Sequence, residues 1–279
     1  MWVGQQLADG LDFWGFLESL ILGGIILGIY TGLLGYVGAK TGLSLDLLSQ
    51  RAFGEKGSYL PSAMTSFTQI GWFSVGSFVS GGTATPNFAR FAKNGKAGAI
   101  TTVVAFFIGN SLMFFFGAVS SIFVGGNDIF EVMVRLNLFY LAVLVLGLNI
   151  WTTNDNALYT AGLGLANIFH QRKKPMVLLS GIIGTVASVW LYYNFCGWLN
   201  ILNCTLPPVG MILVLAYFMN KEDFETDQPK LKTVDWFAVA GVILGAIVAN
   251  LLHWGIASIN GMVVAAVCYC VGQAVNKRK

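Results

Sequence analysis

Seven apolar runs, most of them near the length that crosses a bilayer, alternate with short islands of lysine and arginine, and this alternation decides what the chain can become. The runs cover 13–37, 100–124, 136–169, 176–195, 198–219, 234–252 and 256–274. A transmembrane helix needs about 20 apolar residues. In lipid the backbone must satisfy its own hydrogen bonds, so only helices and closed barrels span. A barrel would show alternation in strands of about ten residues, and that pattern is missing. The expected fold class is therefore an all-α polytopic membrane protein. Composition agrees: 10% of residues are charged, against roughly 25% in soluble domains.

The basic islands are Lys40/Arg51/Lys56, Arg90/Lys93/Lys96, Arg172/Lys173/Lys174, Lys221/Lys230/Lys232 and Lys277/Arg278/Lys279. Under the positive-inside rule they mark the cytoplasmic side. A net charge of +3 is then a matter of topology, and no continuous basic surface points to nucleic acid. From Lys96 onward each pair of spans returns the chain to an island. The segment 57–89 breaks that parity, because its 33 residues join two islands. One helix of that length would run roughly 50 Å, against a hydrocarbon core of about 30 Å. Its middle reads GWFSVGSFVSGG, with Gly71, Gly76, Gly81 and Gly82 as breaks. A re-entrant hairpin of two half-helices satisfies both length and charge. A single tilted span with one island misplaced is the other reading.

Polar residues concentrate in two places. The stretch GLNIWTTNDNALYTAG, 147–162, lies within an apolar run. On a helix Asn149, Thr152, Thr153, Asn156 and Thr160 share one stripe about 100° wide, with Asn154 and Asp155 off it. Such a stripe is either interhelical glue, worth about 0.6 kcal/mol per bond, or one wall of a cavity for a polar ligand or a hard cation. Asp155 is the carboxylate of this span, and intramembrane acids are functional candidates. The broken segment holds the second set: Gln69 and Trp72 one turn apart, then Ser77, Phe78 and Ser80 at the break. Two aromatic faces with an amide and hydroxyls at the edge suit a flat heteroaromatic ring. Ordinary membrane packing is the alternative for each aromatic taken alone.

Little points to catalysis. Val79-Ser80-Gly81 is a faint match to an intramembrane serine nucleophile, but Phe78 stands where a glycine is expected. His170 flanks a basic loop and His253 a span end, so neither is placed as a base within a span. Cys196, Cys204, Cys268 and Cys270 lie in apolar surroundings and read as small hydrophobes. Asp9 and Asp12 interrupt the N-terminal residues, and no cleavable signal peptide is expected.

The segments GIYTGLLGYVGAKTGLS, GNSLMFFFGA, LGLNIWTTNDNALY, GIIGTVASVWLYYNFCGWL and PPVG together resemble the bacterial cytosine permeases of the nucleobase–cation symporter family. The resemblance runs along nearly the whole chain. It implies a non-enzymatic transporter of the bacterial inner (cytoplasmic) membrane, multi-pass, C-terminus cytoplasmic, with no cofactor and sodium as coupling ion. The family fold is leucine-transporter-like: about twelve helices, ten of them in two inverted repeats, with base and ion near the midplane. Carried over by position, Trp72 and Phe78 would sandwich the ring of cytosine or a related nucleobase. Gln69, Ser77, Ser80 and Asn149 would read its edge, and Thr152 and Thr153 would offer hydroxyls to sodium.

Two departures follow. Family members begin their first helix before the residues matching Met1-Trp2-Val3. They also carry roughly ninety residues between the parts matching 69–73 and 76–78, including whole helices of the first repeat. The expected architecture is thus an incomplete inverted-repeat fold of about eight transmembrane or re-entrant elements: 1–73 a remnant of the first repeat, 74–220 the second repeat, 221–279 two C-terminal helices. Sodium-coupled transport by alternating access, and a non-transporting shortened form that still binds a base, are both open. Besides ligand and ion the bilayer is the expected partner; a second copy could cover the polar hairpin.

Overall fold

The computed structural model describes residues 12–75, 81–125, 129–226, 229, 231–252 and 254–276. Among these residues every regular element is a helix, as a bilayer demands. Helix α1 (Phe13–Thr41) starts where the Asp12 carboxylate accepts a hydrogen bond from Gly15 N. It stops at Gly42, whose φ of +68° is left-handed and favours glycine. Short α2 (Leu45–Phe53) follows, capped by Ser44, and then α3 (Tyr59–Val75). Beyond it come two single turns, α4 (Gly81–Ala84) and α5 (Pro86–Ala89).

Helix α6 (Gly95–Val104) is capped by Asn94 and runs through a π turn at Ala105–Gly109 into α7 (Asn110–Val124). After α8 (Ile129–Arg135) the chain turns at Asn137, φ +57°, into the 31-residue α9 (Phe139–Phe169). Four further helices complete the bundle, joined by the short α12 (Lys221–Glu225). They are α10 (Lys173–Tyr193), α11 (Phe195–Met219), α13 (Trp236–Leu251) and α14 (Ala257–Asn276). Phe13–Thr41, Gly95–Val124, Lys173–Leu191, Gly197–Met219 and Ala257–Asn276 are long and apolar enough to cross a membrane, and Trp236–Leu251 is a shorter apolar helix. The protein is an all-α polytopic membrane protein.

Small residues decide how these helices meet. Lipid is as apolar as leucine, so helices in a membrane associate through close packing rather than hydrophobicity. Gly24, Gly28, Gly32 and Gly35 form a ridge on α1 that receives Phe107, Val103 and Thr102 from the α6–α7 run. A Cβ on Gly35 would lie 2.5 Å from Thr102 Oγ1 and 3.0 Å from the Gly98 carbonyl. The C-terminal pair repeats the device, with Gly245 of α13 on the Gly261 carbonyl of α14. Pro208 of α11 packs against both glycines, so the Pro207-Pro208 interruption sits at the three-helix crossing.

Among the described residues the largest buried cluster joins α1, α2, α11, α13 and α14 through Leu34, Phe53, Tyr217, Val242 and Tyr269. Loop bonds tie the two halves of the chain beside it: Glu55 N donates to Lys232 O at 2.8 Å, Lys56 N to Thr233 O at 2.9 Å, and Asp235 N to Phe53 O at 2.6 Å. Tyr59 bonds His170 at 2.6 Å, and Lys40 reaches Glu225 at 3.9 Å. These contacts gather the islands around Lys40, Lys56, Arg172, Lys221 and Lys232 at one end of the bundle.

Candidate functional site

The segment 57–89 both leaves and rejoins the bundle at α2. Ser62 Oγ, one turn into α3, donates to Asp46 Oδ1 at 2.6 Å. Leu45 N, the neighbouring residue, donates to Asn87 Oδ1 at 2.8 Å. Deeper in, Thr83 Oγ1 and Tyr30 OH on α1 share a hydrogen bond of 2.8 Å. A single span would carry residues 62 and 87 to opposite ends of the bundle, whereas both meet consecutive residues of one short helix. The two described arms therefore have the hairpin geometry.

The ascending arm carries Gln69, which is buried, and Trp72 one turn later on the same helix. The Trp72 side chain lies outside the described ones, and Ser77, Phe78 and Ser80 lie outside the described residues. Around this arm stand α9, α10 and α11. Trp198 of α11 is 3% exposed and clusters with Ala157 of α9, Leu191 of α10 and Leu202. Its indole packs against α3 at Gly71, where a Cβ would come within 2.2 Å of the ring. Sequence reasoning missed Trp198. The signal available was Gly71 itself, because an interior helix glycine next to large side chains marks close approach.

Helix α9 turns a face of small residues to α3. Ser66 Oγ donates to the Ala161 carbonyl at 3.1 Å, and a Cβ on Gly164 would strike Ser66 Oγ at 2.1 Å. Ala157, Thr160 and Ala161 are buried on this face. The residues of the polar stripe are distributed differently along it. Thr160 is buried, with no hydrogen bond from Oγ1. Thr153 is half-buried, while Asn149, Thr152 and Asn156 are exposed, as is Asp155. The Thr152 hydroxyl donates back to the Leu148 and Asn149 carbonyls, each at 3.1 Å. Asn154, off the stripe by angle, is the amide whose Oδ1 is buried without a partner. The structure thus brings Gln69, Asn154 and Thr160 onto packed faces of α3 and α9, and leaves Asn149 and Thr152 on the open side of α9.

A cavity of about 240 Å³ lies beside the returning arm, lined by Leu27, Tyr30, Thr83, Leu206, Pro207 and Ile259 among others. It is mainly apolar, with the Tyr30–Thr83 pair as a polar point on its wall. No group of three or more His, Cys, Asp or Glu residues that could hold a metal occurs among the described residues. An ion here would have to rely on hydroxyl, amide and carbonyl oxygens, which suit hard cations.

Comparison with known proteins agrees with this architecture. The family described as permeases for cytosine/purines, uracil, thiamine, allantoin matches residues 1–84 and 74–275. The cytosine permeases of Escherichia coli strains K12 and O157:H7 are each 36% identical to the chain over 372 aligned positions, covering 100% of it and 88% of their own length. Against the 279 residues here, 372 positions leave 93 without a counterpart. The two family matches overlap at 74–84, within the segment 57–89. Relative to these permeases the chain is shorter by 93 positions within the aligned region.

Proposed function

Because the chain belongs to the family of permeases for cytosine/purines, uracil, thiamine and allantoin, we propose that it binds cytosine or a closely related nucleobase inside the membrane and carries it across by alternating access, coupled to sodium. The observation that supports this reading is that both described arms of segment 57–89 meet α2, with Gln69 and Trp72 on the first of them. Broken backbone inside a membrane survives where protein or a polar cavity covers it, and such breaks form the binding sites of secondary transporters.

In the proposed site Trp72 and Phe78 stack on the two faces of the base. Gln69, Ser77, Ser80 and Asn149 hydrogen-bond its edge. Neutral amides and hydroxyls are the appropriate readers for an uncharged ring, since a fixed charge at the midplane would be costly. Thr152 and Thr153 supply oxygens to sodium, and joint binding of ion and base favours the closed state, so each raises the affinity of the other. The basic end gathered around α2 faces the cytoplasm of a bacterial inner membrane, with the C-terminus on the same side.

A second reading has its own support. The 93 missing positions and the exposure of Asn149 and Thr152 favour a shortened protein that binds a base without completing a transport cycle. Uptake of radiolabelled cytosine into proteoliposomes, with and without an inward sodium gradient, separates the two. Gradient-driven accumulation supports the transporter, sodium-independent equilibration removes the ion coupling, and no uptake with retained binding selects the binding-only protein.

A further inference from the structure

Where the two arms of the hairpin meet α2, the structure holds a buried ionisable group that transport chemistry does not use. Asp46 is 5% exposed. Its Oδ1 accepts from Ser62 Oγ at 2.6 Å, and that hydroxyl in turn accepts from Asn167 Nδ2 of α9 at 2.9 Å. Asn167 Oδ1 is held by Gln50 Nε2 of α2 at 2.6 Å. The carboxyl thus terminates a chain of hydrogen bonds through α2, α3 and α9.

The returning arm meets α2 at the neighbouring residue, Leu45, and carries unmatched buried donors. Asn87 is fully buried and accepts from Leu45 N, yet its Nδ2 makes no hydrogen bond. Arg90, just beyond α5, donates to Tyr159 OH on α9, while its buried Nε makes no hydrogen bond. A buried donor left unmatched is destabilising. An ionised carboxylate is the acceptor that would satisfy both. The other charged groups of the neighbouring elements are engaged elsewhere or exposed. Lys40 reaches Glu225, Arg51 donates to the Asp223 carbonyl, Lys232 pairs with Asp235, and Lys173 lies over the Tyr159 ring. His170 bonds Tyr59, and Glu55 and Lys56 are exposed.

We propose that Asp46 is a proton-binding site that sets how the returning arm, residues 83–90, seats at this end of the bundle. With the carboxyl neutral, Asp46 stays in the Ser62–Asn167 chain and Arg90 stays on Tyr159. Loss of the proton to water leaves a carboxylate that draws the Asn87 amide and the Arg90 guanidinium toward α2, loosening the arm from α9. Burial pushes the Asp46 carboxyl up to about 6, against the opposing Ser62 hydrogen bond and the attraction of Arg90. This places the transition within the physiological range. The sign follows: between the unfolded carboxyl value of 3.8 and about 6, the native state holds a proton that the unfolded state has lost. Stability is therefore highest below that window and is lost as pH rises through it.

The proposal rests on the hairpin geometry and not on the nucleobase reading, so its test needs no substrate. Hydrogen–deuterium exchange of peptides covering 83–92, measured on the full chain in detergent between pH 5 and 8 and corrected for intrinsic exchange, should show protection falling with a midpoint near 6. Asp46→Asn should abolish the transition and keep the arm protected throughout. An identical profile in the wild type and Asp46→Asn, or no transition in either, overturns the proposal. If Asp46→Asn does not fold, Arg90→Gln carries the test: removing the guanidinium should move the midpoint upward, and an unmoved midpoint overturns the proposal equally.

Discussion

At the scale of single residues, side chains of one chemical type carry different duties according to what stands opposite them. Asn167 bridges Gln50, Ser58 and Ser62, whereas Asn149 lies exposed on the same helix. At about 0.6 kcal/mol for an average hydrogen bond in a membrane, Asn167→Ala should cost on the order of 1–2 kcal/mol. Thermal unfolding in detergent would read that as a lowered midpoint, while Asn149→Ala leaves stability unchanged. Base binding should show the reverse pattern. In the proposed site Trp72→Ala would remove one stacked face, worth about 1–3 kcal/mol, and should weaken cytosine binding roughly 5- to 150-fold. Gln69→Ala should weaken it through the edge contact, and titration of radiolabelled cytosine against each variant checks both.

At the scale of elements, glycine and alanine ridges fix which helix faces meet, and this is where sequence reasoning succeeded unevenly. The apolar runs at 13–37, 198–219 and 256–274 correspond to α1, α11 and α14, because run length alone marks a span. That both described arms of 57–89 return to α2 was legible from charge parity, which concerns the two ends and needs no knowledge of the middle. The buried face of α9 was not legible from its polar stripe. Ala157, Ala161 and Gly164 choose that face because α3 must approach closely, and in lipid a polar residue is not obliged to mark the interior. The same physics predicts that Gly35→Leu, driven into Thr102 and the Gly98 carbonyl, destabilises the α1–α6 contact by about 1–3 kcal/mol. Gly23→Leu, with nothing within 4 Å of its Cβ, should be tolerated. Comparing the melting midpoints of the two variants tests the assignment.

At the scale of the whole molecule, the described basic islands around Lys40, Lys56, Arg172, Lys221 and Lys232 gather at one end, while the polar stretch of α9 remains open along much of its length. A topology reporter fused at Lys56 and another at Lys96 should therefore report the same side of the membrane; opposite sides would contradict the hairpin. The two family matches overlap at 74–84, and the helix preceding that overlap carries Gln69 and Trp72 into the bundle. In the proposed function, the shortened chain keeps a nucleobase site. Equilibrium binding of radiolabelled cytosine to the purified full chain tests this most directly. Saturable binding that unlabelled cytosine competes away, and that Trp72→Ala abolishes or weakens by an order of magnitude, is the predicted result. The absence of saturable binding, or binding indifferent to Trp72→Ala, would contradict the site.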